Sequence, residues 1–220
     1  MSLWVKICGN TSLEDAQLAA DAGADAVGFV FARSPRRVTP EQVATITPAL
    51  PASLERIGVF VDADFEWIAA AVEQGGLTGV QLHSSGREGL SAELRRRFGP
   101  GIRILQVIHF SEYAGQALSA AQTDPDLDGI LVDSRTATAV GGTGIAFDWQ
   151  AARSTIFQPG SALKLVAAGG LHPGNVSEAI ALLNPWGVDV VSGVEASPGR
   201  KNAGKVQAFV KAARAATVNQ

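Results

Sequence analysis

Short apolar runs alternate with longer amphipathic stretches along the whole chain. The runs are almost continuously apolar and rich in Val and Ile, which is typical of strands buried on both faces. They predict eight strands, over residues 3–9, 24–31, 55–61, 78–83, 102–108, 127–133, 162–170 and 187–194. The amphipathic stretches predict eight helices, over 12–23, 39–50, 62–76, 87–98, 111–122, 147–156, 173–183 and 201–216.

This strict alternation of strands and helices indicates a parallel sheet. Eight units in 220 residues fit a single α/β domain, a closed (β/α)8 TIM barrel over residues 1–220, near the short end of the range for that fold. A doubly wound open sheet is the competing fold. It usually has fewer units and a Gly-rich fingerprint after its first strand, and "CGNTSLED" does not provide one.

The composition describes a chain with a large core and no basic face. Hydrophobic residues make up 46%, charged residues 18%, and the net charge is −3, which argues against nucleic acid as a partner. No apolar run is long enough for a membrane helix, and the N-terminus lacks the features of a signal peptide. We therefore expect a cytoplasmic protein without a membrane partner.

The ends of the predicted strands carry most of the chemically interesting side chains. In a barrel the active site lies at the C-terminal ends of the strands and in the loops that follow them. Strand by strand, the candidates are Lys6 and Cys8, then Arg33, Arg36 and Arg37, then Gln81 and His83, then Asp133, then Gly169 and Gly170, and last Asp189, Ser192 and Gly193.

Cys8 is the only cysteine in the chain, so it is either a small buried hydrophobe or a reagent. Side chains alternate along a strand, so if Ile7 faces the helices, Lys6 and Cys8 face the barrel axis. A lysine next to a thiol lowers the thiol pKa. We therefore expect Lys6 to lower the pKa of Cys8.

Three further side chains are candidates for chemistry. Asp133 ends a strand where no helix begins, which favours catalysis over helix capping. Asp189 lies within the last strand, where it could bind a substrate amine or pair with Lys6. His83 is a candidate ligand for substrate or a satisfied histidine at a strand end.

Two features concern loops. The segment 133–149 is long for a barrel loop, and Gly141, Gly142 and Gly144 in it predict a lid, with a flexible surface loop as the alternative. Glycines after the last two strands, with a short helix starting near "SGVE", match the usual phosphate site of barrels. The predicted phosphate-binding residues are Gly169, Gly170, Ser192 and Gly193.

The remaining patterns favour chemistry without a cofactor. The histidines at 83, 109 and 172 have no metal-ligand spacing, and there is no Walker-type loop. One acid, one base and a phosphate anchor suit an isomerase better than a hydrolase, because no second base is evident to activate a nucleophile.

Taken together, these stretches of the chain resemble the phosphoribosylanthranilate isomerase family of tryptophan biosynthesis. The similar stretches run in the order of the family from residue 5 to residue 206. They are "VKICGNT", "GADAVGFVFARSPRRV", "IGVFV", "VQLH", "ILVDS" followed by "GGTGIAFDW", "LVAAGGLHPGNV" and "GVDVVSGVEASPGRKNAGKV".

The resemblance implies a reaction and a role for each matching residue. The reaction is the Amadori rearrangement of N-(5'-phosphoribosyl)anthranilate to 1-(2-carboxyphenylamino)-1-deoxyribulose 5-phosphate, without a cofactor. Asp133 would be the general acid and Cys8 the general base, while Arg36 would meet the anthranilate carboxylate. His83 and Asp189 match further active-site positions, and we predict that Lys6 binds substrate with them.

Some departures and alternatives accompany the resemblance. "SSGRE" follows "QLH" where the family usually continues with Gly and an acidic residue, and Asn202 replaces an Asp, which puts helix capping in doubt. The alternatives are a histidine-pathway aminoaldose–ketose isomerase, or one serving both pathways, although that family has an aspartate where this chain has Cys8. Indole-glycerol-phosphate synthase and a silent phosphate-binding barrel are more distant alternatives. The chain could be a monomer or a homodimer.

Overall fold

The structure, a computed structural model, describes residues 3–83, 89–133, 149–158 and 163–217. Parallel strands close into a barrel in chain order, with the last strand of the barrel pairing back onto the first. This closure confirms the predicted (β/α)8 barrel over the open sheet. The strands are β1 Trp4–Ile7, β2 Ala26–Val30, β3 Glu55–Val61, β4 Gly79–His83, β5 Arg103–His109, β6 Gly129–Asp133, β7 Lys164–Ala168 and β8 Gly187–Val190.

Several helices begin where the sequence provides a capping side chain. Ser12 accepts a hydrogen bond from the N–H of Asp15 at 3.2 Å, and Asn202 accepts one from the N–H of Lys205 at 3.0 Å, so Asn202 fills the capping position despite the replaced Asp. No helix among these residues is long and apolar enough to cross a membrane. The helices are α1 Leu13–Asp21, α2 Pro40–Ile46, α3 Phe65–Gly75, α4 Leu90–Phe98, α5 Ala114–Gln122, α6 Trp149–Thr155, α7 Val176–Leu183 and α8 Ala203–Thr217.

Alternation along the strands separates two hydrophobic cores. On β1, Val5 and Ile7 pack outward into the large core between sheet and helices, while Trp4 packs inside the barrel and Lys6 is fully buried. The predicted inward orientation of Lys6 is therefore confirmed. The barrel interior contains Trp4, Ala26, Ile57, Leu105, Val107, Leu131, Val166 and Ala168.

The prediction of one strand over 187–194 was wrong at its C-terminal end. β8 ends at Val190, a 3-10 helix follows over Ser192–Val194, and a hairpin of β9 Glu195–Ser197 and β10 Arg200–Lys201 comes next. The 3-10 helix is the short helix expected near "SGVE". The chain must leave the strand here because Gly193 lies against the loop after β7, where an added Cβ would be 2.0 Å from the carbonyl oxygen of Leu171.

Several predicted helices are also shorter than their amphipathic patterns. The pattern over 39–50 gives α2 only to Ile46, because Pro48 lacks an N–H and the chain tightens into a 3-10 helix over Thr47–Ala49. The pattern over 62–76 gives α3 only from Phe65, because Asp64 caps it by accepting from the N–H of Trp67 at 2.8 Å.

Candidate active site

A pocket of about 280 Å³ opens at the C-terminal end of the barrel. It is the place where the barrel fold collects functional groups from different strands. Lys6 and Gly193 are not among its lining residues, and Gly141, Gly142 and Gly144 lie outside the described residues. The predicted site residues that line it are Cys8, Arg36, His83, Asp133, Gly169, Gly170, Asp189 and Ser192.

A buried ion pair forms the base of this pocket. Lys6 on β1 and Asp189 on β8 are register partners, and Nζ lies 2.8 Å from Oδ1. Burial alone would lower the pKa of Lys6, but the charges of Asp189 and Cys8 outweigh it and raise that pKa. Lys6 is therefore a buried ammonium, and the prediction that Asp189 pairs with it is confirmed.

The same ammonium fixes the orientation of a hydrogen-bond chain toward the pocket. Nζ of Lys6 can only donate, and it donates to Oε1 of Gln81 at 2.9 Å. The amide of Gln81 therefore presents Nε2, a donor, to Nε2 of His83 at 3.0 Å. It follows that His83 accepts through Nε2 and carries its proton on Nδ1, as a neutral imidazole.

Cys8 lies one residue beyond β1, and its position depends on a glycine. Its N–H donates to the carbonyl of Val190 at 2.9 Å, and a Cβ added to Gly28 on β2 would lie 2.4 Å from Sγ. Asn10 holds the backbone next to Cys8 in place by donating to the carbonyls of Ile7 at 2.8 Å and Gly28 at 3.2 Å. The thiol therefore occupies the space that a side chain at position 28 would fill.

Lys6 does lower the pKa of the Cys8 thiol, as expected, but the pKa as a whole is raised above its ordinary value. Burial, the largest effect, raises the pKa of the thiol, and the charge of Asp189 raises it further, while Lys6 and Lys201 lower it. The sequence shows Lys6 next to Cys8, but it does not show that Asp189 neutralises that lysine.

Asp133 faces the same pocket from another part of the barrel. It ends β6, is only 2% exposed and lines the pocket with Cys8. Its strand is separated from β1 by β7 and β8. An acid and a thiol therefore approach a common space from different directions, which suits two proton transfers at different atoms of one substrate.

Arg36 enters the pocket from the loop after β2. Its guanidinium makes a bidentate contact with Glu195, Nε to Oε1 at 2.8 Å and Nη2 to Oε2 at 2.6 Å. The neighbouring Arg37 is exposed and does not line the pocket. Sequence reasoning missed Glu195, although an acidic residue directly after "SGV" on an active-site loop was a usable signal.

The glycines after β7 give the pocket an exposed stretch of backbone. Gly169 and Gly170 have φ of +84° and +66°, a left-handed conformation that glycine adopts without strain. Asn175 holds this turn by donating to the carbonyl of Gly170 at 3.1 Å. A Cβ on Gly170 would meet nothing within 4 Å, so a ligand can approach this backbone closely.

A match to a family model covers residues 5–212, and the description of that family is N-(5'phosphoribosyl)anthranilate (PRA) isomerase. The chain belongs to this family. The predictions of the family and of an enzyme, an aldose–ketose isomerase of tryptophan biosynthesis, are confirmed. Among the described residues, no three His, Cys, Asp or Glu are grouped closely enough to hold a metal ion.

Individual members resemble the chain over nearly its whole length. N-(5'-phosphoribosyl)anthranilate isomerase of Geobacter sp. (strain M21) is 41% identical, with 96% of this chain and 97% of that protein covered. The crystal structure of a phosphoribosylanthranilate isomerase with reduced 1-(o-carboxyphenylamino)-1-deoxyribulose 5-phosphate is 34% identical, with 97% and 99% covered and a TM-score of 0.79. Monomers generated from the dimeric Thermotoga maritima isomerase are 35% identical, with 97% and 99% covered and a TM-score of 0.77.

Proposed function

We propose that this pocket catalyses the Amadori rearrangement of N-(5'-phosphoribosyl)anthranilate to 1-(2-carboxyphenylamino)-1-deoxyribulose 5-phosphate. The observation that carries the proposal is the convergence of Cys8, Asp133 and Arg36 on one pocket beside the Gly169–Gly170 turn. The substrate has one group for each of them: a C2 proton, a ring oxygen, a carboxylate and a phosphate.

Asp133 acts as the general acid in the first step. Its carboxyl group donates a proton to the ribose ring oxygen, the bond from that oxygen to C1 breaks, and the nitrogen lone pair forms a Schiff base with C1. Asp133 is only 2% exposed, so this proton transfer takes place away from bulk water.

Cys8 acts as the general base in the second step. As thiolate it takes the proton from C2, and the electron pair of that C–H bond moves toward the Schiff base to give an enolamine. The enolamine then gains a proton at C1 and loses the one on its 2-hydroxyl, which yields the ketone. A raised pKa makes the thiolate a stronger base but a smaller fraction of the enzyme, so activity should rise with pH.

The other lining residues bind the ends of the substrate. Arg36 binds the anthranilate carboxylate, because a guanidinium matches a planar carboxylate. The backbone at Gly169, Gly170 and Ser192, with the adjacent Gly193, binds the phosphate, supported by the open turn after β7 and the 3-10 helix after β8. Neutral His83 is a hydrogen-bonding partner for the substrate, while Lys6 and Asp189 act from beneath as a buried support.

The test is loss of substrate fluorescence with freshly prepared phosphoribosylanthranilate in EDTA. We expect turnover that EDTA does not change, and a loss of about 10²–10⁴-fold in kcat for Asp133→Asn and for Cys8→Ser. Asp62→Asn is the matched control, because Asp62 follows β3 but is exposed and has φ of +47°, which asparagine tolerates. Wild-type turnover by both active-site variants would contradict the assigned roles.

The remaining alternatives are outcomes of the same assay. Turnover of the histidine-pathway aminoaldose in place of this substrate would support the other isomerase, which the family match does not favour. A small phosphorylated substrate as the only partner, the absence of a cofactor and a cytoplasmic location stay predictions. The relative from Thermotoga maritima is dimeric, and sedimentation would decide between monomer and homodimer here.

A further inference from the structure

Two buried ions behind the pocket have no part in the proton transfers described above. Glu195 and Lys201 are register partners across the β9–β10 hairpin, and Nζ lies 3.2 Å from Oε1. Both side chains are almost fully buried, with residue exposures of 5% and 7%. Buried charges are costly unless they are paired, so this pair needs an explanation in structure or in function.

Glu195 also contacts the arginine that faces the pocket. One carboxylate oxygen accepts from Nε of Arg36 and the other from Nη2, in the bidentate geometry that fixes a guanidinium most firmly. Burial opposes ionisation of Glu195, but Arg36 and Lys201 together lower its pKa. The carboxylate is therefore charged, and it holds one edge of the guanidinium.

Lys201 connects this contact to the thiol. Its Nζ donates to the carbonyl oxygen of Cys8 at 2.6 Å and to that of Val191 at 3.3 Å. A continuous chain of charged hydrogen bonds thus runs from the guanidinium of Arg36 through Glu195 and Lys201 to the backbone of Cys8. The hairpin is itself held in place, because the backbone N–H of Lys201 donates to Asp15 on α1 at 3.0 Å.

The path of the arginine side chain is equally constrained. Arg36 crosses Gly9, where an added Cβ would lie 2.9 Å from Cδ, and Gly9 has φ of +76°. The aliphatic stem is confined at this crossing and the guanidinium is held by Glu195. An arginine immobilised at both places has lost its rotamer freedom before any ligand arrives.

We propose that Glu195 is a positioning residue that determines the preference of this site for substrates with an aryl carboxylate. This inference rests on the proposed function. Glu195 holds one edge of the Arg36 guanidinium, so that another edge is oriented for the planar carboxylate of the ligand, and Lys201 ties the same assembly to Cys8. The binding energy of the carboxylate is then not spent on ordering the arginine.

The test measures binding of two ligands by titration calorimetry. One is reduced 1-(o-carboxyphenylamino)-1-deoxyribulose 5-phosphate, and the other is the same compound without its carboxyl group. Glu195→Asp keeps the charge but withdraws the carboxylate by one methylene, so the bidentate contact is lost while the net charge is unchanged. We expect the Kd of the carboxylated ligand to rise about 10-fold, and that of the other ligand to stay within about twofold.

A second Glu–Arg contact provides the control. Glu55 binds Arg103 in the same bidentate way, with both distances 2.6 Å. These are the first residues of β3 and β5, so the contact lies at the end of the barrel away from the pocket. Glu55→Asp should leave both affinities unchanged. Unchanged binding of both ligands by Glu195→Asp, or equal weakening of both, would overturn the proposal. Failure of the wild-type protein to bind either ligand would instead contradict the proposed function.

Discussion

Substitution of Gly28 by alanine tests whether the position of the Cys8 sulfur determines catalysis. An added Cβ would lie 2.4 Å from Sγ, 3.0 Å from Cβ and 3.1 Å from Cα of Cys8. Atoms in van der Waals contact are about 3.5–4.0 Å apart, so the sulfur must move by more than about 1 Å. Rotation of the thiol relieves only the first of these contacts, so β1 and β2 must also separate slightly.

The size of the effect follows from these distances. Overpacking a core costs about 1–3 kcal/mol, so we expect the free energy of unfolding in urea to fall by about that amount. Misplacing a reacting atom by about 1 Å costs on the order of 100-fold in rate. We therefore expect kcat to fall about 10- to 100-fold, with KM little changed because Arg36 and the glycine turn are not displaced.

Gly58→Ala is the matched control for this experiment. Its added Cβ would lie 2.7 Å from Leu77 and from Phe60, which belong to the outer core rather than the pocket. It should lose similar stability and keep wild-type kcat. If Gly28→Ala is folded and turns over at the wild-type rate, Cys8 does not act from this position.

Three further predictions concern the buried network. Burial raises the pKa of the Cys8 thiol, so the rate of its alkylation by iodoacetamide should keep increasing above pH 8.5. The free energy of unfolding in urea should fall over the same pH range, because the folded state holds a proton that the unfolded state releases. An alkylation rate that stops increasing below pH 8 would contradict the raised pKa. Gln81→Glu should move the His83 proton to Nε2 or make the ring cationic. Nitrogen-15 spectra of the imidazoles should show this change for His83 and no change for His109. An unchanged His83 spectrum would refute the assigned tautomer. Asp189→Asn keeps an oxygen that can accept from Lys6 but removes the counter-charge of the buried ammonium, so it should cost about 3–5 kcal/mol in urea unfolding. Lys6→Met combined with Asp189→Leu should recover part of that loss, and full stability of Asp189→Asn alone would show that the pair is not needed.

The strand and helix pattern predicted the architecture because each unit is encoded locally. Apolar strands buried on both faces and capped amphipathic helices can be predicted from short segments of sequence. Their strict alternation is compatible with few sheet topologies. The pattern failed at 187–194, where a run that looks like one strand ends at Val190. That boundary depends on the contact of Gly193 with the loop after β7, which no local pattern contains.

By itself, the sequence determined the barrel, the end of the barrel where chemistry belongs, and the residues that reach that end. Only the tertiary structure decided how their charges combine. Asp189 lies far from Lys6 along the chain, yet it pairs with that lysine, and burial of the thiol together with the charge of Asp189 raises the pKa of Cys8 although Lys6 lowers it. Glu195 reaches Arg36 in the same way. The physical reason is that electrostatic energies depend on distance and burial, which the closed barrel sets by bringing its first and last strands together.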